Sequence, residues 1–378
     1  MKTCWNVTTQ LPVDFKVQIT KGVFDPSNPS LLEFGSAGTG ARRLVLVDSE
    51  VFYTRAAEIK NYFIQNQIDA KIISIDVFEE KKNLENLLFI LTAMENFSIL
   101  RRSEPLICVG GGILLDMGGL AASLYRRGVP YIKVPTTLLA LVDASVGVKT
   151  SINHFDRRNR LGTYYPPVAA YLDKTFLDTL PEVEITSALG EILKMAVVKS
   201  SKLFELLEQD IEKQIETHFL MDGTADEIIS IAIDDMIAEL EPNLWEKNLE
   251  RLVDYGHSFS PLLEMNSLRD TTVKSLTHGG AVALDVIYSC CLSAHRGLLP
   301  VSHLQRVVGL AKRMGLDVYH PYFIDELMLW EALQDTVKHR NGNQNLPIPQ
   351  TIGSSLFLND VTFDDIIATI KIYKDATT

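Results

Sequence analysis

Three segments of the chain hold side chains that one divalent metal could share: Glu191 in ALGEILKMAVV, His257 in DYGHSFSPLLE and His278 in SLTHGGAVALD. One carboxylate and two imidazoles leave coordination positions open for water or substrate, the pattern of a catalytic site. Lys194 follows Glu191 by three residues, so on a helix the two share a face. No H-E-x-x-H run occurs, which excludes that protease type. Taken singly, each histidine reads more readily as structural than as a ligand. Their joint occurrence with flanking glycines, in segments with helical patterning, is what favours ligation.

A second group is basic. KTSINHFDRRNRLGTYYPP, Lys149 to Pro167, gathers Lys149, Arg157, Arg158 and Arg160 in a chain of formal net charge −12. Such a knot of positive charge is either a solvated loop or an anion holder. A third group is glycine-rich. ICVGGGILLDMGG places Gly110, Gly111 and Gly112 between a strand pattern and a helix pattern. Glycines there let backbone amides approach a pyrophosphate at a helix N-terminus. The spacing is not G-x-G-x-x-G, so the usual dinucleotide fingerprint fails and a tight turn is the alternative. Asp48, at the end of LVLVD, suits ribose hydroxyls or a turn.

The elements that must position these groups fall into two textures. Up to about Pro167, β-rich runs alternate with helical ones: RRLVLVD, AKIISIDVF, PLICVG and VPYIKVPTT against AAEIKNYFIQNQ, NLENLLFILTAMENF and ILLDMGGLAASLYRRG. That alternation predicts a parallel, doubly wound, Rossmann-like α/β sheet over 1–166. Beyond Pro166–Pro167, whose rings force extended backbone, helical periodicity takes over, predicting a mainly α-helical domain over 167–378. A ligand is expected in the cleft between the halves.

Composition sets limits. With 378 residues and 46% hydrophobic content, the chain can bury cores for both domains. Its acidic balance argues against nucleic acid as a partner. Cys4, Cys108, Cys290 and Cys291 form no disulfide framework, which fits a reducing cytoplasm. The segment MKTCWNVTTQLPVDF has no apolar signal core, and no run approaches the roughly 20 apolar residues of a membrane span.

The combination of P-T-T-L-L-A-L-V-D-A-S-V-G, the Lys149 after it, G-E-I-L-K and G-H-S-F resembles the dehydroquinate synthase superfamily, the sugar phosphate cyclases, from about Asp48 to Gly353. The resemblance implies that 1–166 is a dinucleotide-binding α/β domain for NAD, followed by a helical domain, with a metal between them. It implies Glu191, His257 and His278 as ligands of Zn2+, with Co2+ a substitute. It implies Asp48, Glu79, Lys82, Gly111, Gly112, Asp116, Thr136 and Thr137 along NAD. Asp143, Lys149, Arg158, Asn159 and Lys194 would face a sugar phosphate, with Lys149, Arg158 and Asn159 at the phosphate. Arg157 and Arg160 would stay solvated or pair with acidic surface. Arg127 would reach the site from the partner in a homodimer. In the reaction so implied, a transient oxidation by NAD acidifies a neighbouring C–H, phosphate leaves, hydride returns, and an intramolecular aldol closes a carbocycle. NAD is recycled.

The branch is legible at fewer positions. Dehydroquinate synthases carry a second His four residues after the first metal His, where this chain has Pro261; they carry an Arg for the substrate carboxylate and an Asn where this chain has Glu250 and Asp254. Acidic groups there disfavour a carboxylate-bearing substrate. The segment EPNLWEKNLERLVDYGHSFSP, which includes Glu246, together with KHRNGNQNLPIP, resembles cyclases of sedoheptulose 7-phosphate. Asp254 and His339 resemble the members that form 2-epi-5-epi-valiolone. The alternatives are members forming 2-epi-valiolone or desmethyl-4-deoxygadusol, then 3-dehydroquinate synthases and metal-dependent polyol dehydrogenases. The implied roles are catalytic for Lys149, Lys194, Asp143, Asn159, Asp254 and His339, and substrate-binding for Arg127, Arg158, Glu246 and Glu250.

Overall fold

The computed structural model describes residues 3–155 and 157–377. Among them, six strands form one parallel sheet: β1 (Lys16–Ile19), β2 (Ala41–Asp48), β3 (Ile68–Ile75), β4 (Leu106–Gly110), β5 (Tyr131–Pro135) and β8 (Ala169–Leu172), in the order β1-β8-β5-β4-β2-β3. The central strands are apolar on both faces, apart from the buried Arg43 and Lys133, because helices cover both. Leu44, Leu46 and Cys108 face one apolar cluster and Val45, Val47 and Val109 another. Helix α1 (Ser49–Gln65) returns β2 to β3 on one side; α3 (Gly112–Leu124) leads β4 to β5 on the other. The winding reverses between β2 and β4, and their carboxyl ends carry Asp48 and the glycine loop. In open α/β sheets ligands bind at such a crevice.

Two features depart from the sequence expectation. Strands do not stop at Pro166–Pro167: β8 follows it, pairing with both β1 and β5. Four apolar residues after a proline pair are too few to declare a period, and their partners are distant in sequence. The basic stretch is neither loop nor helix but an antiparallel hairpin, β6 (Lys149–His154) and β7 (Arg157–Tyr164), which packs on α3. Helix α2 (Leu84–Phe97) flanks it.

The second half is helical around α8 (His278–His295), which is buried along nearly its whole length. It is mostly apolar on every side because α4 (Glu182–Val198), α7 (Ser260–Arg269), α9 (Val301–Arg313) and α11 (Phe363–Thr377) surround it. The α11 contact is specific: Tyr288 donates to the Ile366 carbonyl at 3.2 Å, and the Tyr288 and Tyr373 rings lie 5.9 Å apart. Helices α5 (Ser201–Glu216), α6 (Thr224–Leu240) and α10 (Glu326–His339) and the hairpin β9–β10 (Leu346–Thr351, Ser354–Leu358) complete this half. Among the described residues no helix is long and apolar enough to cross a membrane.

Candidate active site

Helices α4 and α8 cross almost backbone to backbone. A Cβ on Gly279 would stand 1.6 Å from the Ser187 carbonyl oxygen, and one on Gly190 2.0 Å from that of Gly279. Only glycine permits this approach, and each glycine neighbours a candidate ligand. The crossing thus sets Glu191 against His278, with Glu191 Oε1 3.3 Å from His278 Nε2 and 3.3 Å from His257 Nε2. The third ligand is delivered by a tight turn. Asp285 of α8 accepts the backbone N–H groups of Ser258, Phe259 and Ser260 at 2.7–2.9 Å, fixing the chain just after His257. One atom from each of Glu191, His257 and His278 lies within 4.8 Å of the others.

The ring nitrogens settle the tautomers. His257 Nδ1 lies 3.1 Å from the Tyr255 carbonyl, which can only accept, and His278 Nδ1 lies 3.1 Å from Glu264 Oε2. In the neutral rings each Nδ1 therefore donates and each Nε2 turns a lone pair to the shared point, the arrangement that outer partners impose on metal-binding histidines. Glu191 is buried, and its two oxygens make no hydrogen bond although both histidines and Lys194 crowd them. Burial opposes its ionisation, but Lys194 and His257 outweigh that and hold its pKa well below the usual range. Burial likewise disfavours charge on His278, yet Glu264 and Glu191 raise its pKa to about 9. The pocket favours positive charge at its centre, and the donor set fits a divalent cation.

The triad floors a cleft of about 580 Å³ between the hairpin and the helical half, lined also by Asp116, Asp143, Lys149, Ser151, Asn159, Arg160, Lys194, Glu246 and Asp254. Lys194 donates to the Val253 carbonyl at 3.0 Å and pairs with Glu191. Lys149, half exposed, pairs with Glu246. Asn159 adopts a φ of +52°, which breaks the β7 alternation and aims it into the cleft. Its Oδ1 accepts from Lys82 at 2.5 Å and Ser151 at 2.9 Å, so its NH2 is left as the donor. Lys82 also bonds Asp116 at 2.5 Å, tying the hairpin to α3. At the sheet edge, Gly111 caps α3 against Thr137, beside Thr136; Asp48 caps α1, and burial raises its pKa.

Several expected residues stand elsewhere. Glu250 is exposed, absent from the lining. The acid four residues earlier, Glu246, takes that place, while Arg251 points inward to pair with Glu246 and, in bidentate fashion, with Asp254 at 2.6–3.1 Å. His339 is also outside the lining, half exposed and 3.6 Å from Asp335. The residue after it, Arg340, is the buried one and faces Asp254 at 3.6 Å. One step along a helix turns a side chain by roughly 100°, so adjacent residues cannot share an orientation. Asp254, caught between Arg251 and Arg340, is held below the usual carboxylate range although burial opposes it. Arg158 does not reach the cleft: it binds Glu79 at 2.9 Å and pairs with Glu264, behind His278. Glu79 also accepts from Asn153 at 2.7 Å. Arg157 pairs with Asp335 at 3.3 Å, whereas Arg160, expected to be solvated, lines the cleft. Arg127 lies exposed at the end of α3. Sequence reading missed Glu264, Asp285 and Arg340, and it left open whether Glu250 or its neighbour Arg251 turns inward. An acid inside a mostly apolar helix was the available signal for Asp285.

Fold and site together define a class: an open α/β domain joined to a helical domain, with a three-ligand metal site in the cleft beside a nucleotide-type crevice. The 3-dehydroquinate synthase N-terminal family model matches residues 72–187 and the C-terminal one residues 188–339. The chain belongs to the dehydroquinate synthase family. It is 41% identical to a 2-epi-5-epi-valiolone synthase of Actinomyces sp over 97% of this chain and 96% of that one. It is 33% identical to a demethyl-4-deoxygadusol synthase of Trichormus variabilis over 100% and 92%. A 2-epi-5-epi-valiolone synthase of Streptomyces hygroscopicus subsp. jinggangensis, solved with NAD+ and Zn2+ bound, superposes with a TM-score of 0.92 at 39% identity, covering 98% of this chain and 99% of that one.

Proposed function

We propose that the protein is a phosphate-eliminating lyase that converts sedoheptulose 7-phosphate into 2-epi-5-epi-valiolone with NAD and Zn2+. The observation that carries this reading is the 41% identity with a synthase of that product along 97% of the chain. Glu191, His257 and His278 would hold the zinc. Asp48, Glu79, Lys82, Gly111, Gly112, Asp116, Thr136 and Thr137 would hold NAD, in the sheet domain; the metal would fall to the helical one, and substrate contacts would come from both. When bound, the two groups would supply reversible hydride removal and polarisation of the hydroxyl being oxidised.

The chain's own residues bind and orient. Lys149 at the mouth and the NH2 of Asn159 would hold the leaving phosphate, with Glu246 competing for the Lys149 ammonium. Lys194, beside Glu191, would hold substrate hydroxyls near the metal. Asp143 would take a hydroxyl from the opposite wall. Asp254 keeps lone pairs for sugar hydroxyls although Arg251 neutralises it from behind. With Glu246, it would disfavour a substrate bearing a carboxylate. Arg158 would act indirectly, through Glu264 on His278. We further propose a homodimer in which Arg127 approaches the partner's cleft, working in a reducing cytoplasm suited to four free cysteines.

The test is product identification by NMR after incubating the protein with sedoheptulose 7-phosphate, NAD+ and Zn2+. Phosphate and 2-epi-5-epi-valiolone should accumulate without growth of NADH absorbance. 2-epi-valiolone or demethyl-4-deoxygadusol as the product would move the chain to another branch. Stoichiometric NADH, or dehydroquinate from the carboxylate-bearing heptulosonate phosphate, would refute the assignment.

A further inference from the structure

Lys133 sits in the middle of β5, with 1% of its surface exposed, where both strand neighbours, Ile132 and Val134, are fully buried apolar residues. A lysine in the centre of a sheet is expensive: burial presses its pKa down to about 8. Its ammonium reaches over Tyr131 and donates to two main-chain carbonyls, Ala144 at 2.7 Å and Gly147 at 2.8 Å. Both belong to the segment that follows the Thr136–Thr137 pair. That segment forms one π-helical turn, Ala140–Ala144, with Asp143 inside it, and then runs directly into Lys149. The turn is tied at its start by Thr137 Oγ1, which accepts from Ala140 N at 3.1 Å. Its end has run out of amide partners, as helix C-termini do, and a cation is the favoured group there.

We propose that Lys133 is a positioning residue, which clamps the 140–148 segment to the sheet and so fixes Asp143 and Lys149 in the cleft. The inference rests on the proposed substrate roles of those two residues. It predicts a split that ordinary structural support would not give. In Lys133→Met the segment is released while the triad and the nucleotide crevice keep their own bonds. Misplacement of a substrate-holding wall by about 1 Å can cost on the order of 100-fold in rate. The expected kcat loss on sedoheptulose 7-phosphate is therefore about tenfold or more, with a raised KM. Zinc content by elemental analysis and NAD+ affinity by calorimetry should stay at wild-type values. Amide hydrogen exchange should quicken over 140–149 and nowhere else. Lys133→Gln, a neutral donor too short to span both carbonyls, should fall between.

Wild-type kcat and KM in Lys133→Met would overturn the proposal. So would a loss that tracks a lowered Tm, with exchange at 140–149 unchanged. If Lys133→Met does not fold, Lys133→Gln decides in the same way: wild-type rate and exchange there overturn it. The exchange and NAD+ readings do not depend on which sugar phosphate is turned over. A wild-type protein that makes no cyclitol would sink the proposed reaction and leave these readings intact.

Discussion

The floor of the cleft and its rim are built on opposite plans. The floor is Glu191, His257 and His278, held by two helices in near contact and by two buried carboxylates, Glu264 and Asp285. The rim is Lys149, Glu246, Arg251, Asp254 and Arg340, drawn from a hairpin, two irregular segments and a helix end, and held mainly by one another's charge. A floor of this kind fixes where chemistry occurs. A rim of mutually paired ions can be re-paired by a few substitutions, so it is where members of one family can diverge in substrate.

The largest effect that would sharpen this contrast is at the floor itself. Glu191→Ala or His278→Ala should lose metal, measured by elemental analysis, and activity by more than the roughly 10–100-fold that loss of an outer partner costs. Added zinc should not restore it, whereas wild type stripped by a chelator should recover with zinc or cobalt. Glu264→Gln comes next. It keeps the shape but weakens the acceptor for His278 Nδ1, and zinc affinity by competition with a chromophoric chelator should fall about 10–100-fold. If the fall is under twofold, the floor does not depend on its outer carboxylate and the contrast weakens.

At the rim, Lys149→Ala should slow phosphate release about tenfold or more, since a charge-assisted contact contributes about 1.5–3 kcal/mol and about 1.36 kcal/mol is a factor of ten. Metal content should not change. Arg157→Ala, which removes only an exposed pair with Asp335, should alter neither rate nor Tm measurably. The smallest and most discriminating comparison is between neighbours. Arg340→Met leaves Asp254 short of a cation and should lower stability by about 1–3 kcal/mol in urea unfolding. His339→Ala should stay within about 0.5 kcal/mol and leave the product unchanged. A changed product in His339→Ala would bring that histidine back to the substrate and break the reading of the rim.

The same contrast explains what the sequence made legible. Metal ligands sit beside glycines, and each of those signals is local: a residue type, its neighbour, its helix. The sheet was readable for the same reason, because apolar runs and glycine turns are local patterns. What sequence misplaced depends on partners far along the chain. Nothing near Arg158 announces that Glu79 and Glu264 will draw it behind His278. Glu250 and Arg251, or His339 and Arg340, differ by one position, and only the loop's closure decides which turns inward. Strand β8 was hidden because it takes its partners from β1 and β5, more than 30 residues away at the nearer.

The packing of α11 on α8 sets an order on the ribosome. The helix that carries His278 is buried on every side, and one of its walls is made by residues near Tyr373. During synthesis the nucleotide half has emerged long before that wall exists. The metal centre can take its final form only when Phe363–Thr377 has also left the exit tunnel. A stop codon just ahead of Phe363 would leave every ligand in the sequence and still deprive the nascent chain of a finished centre.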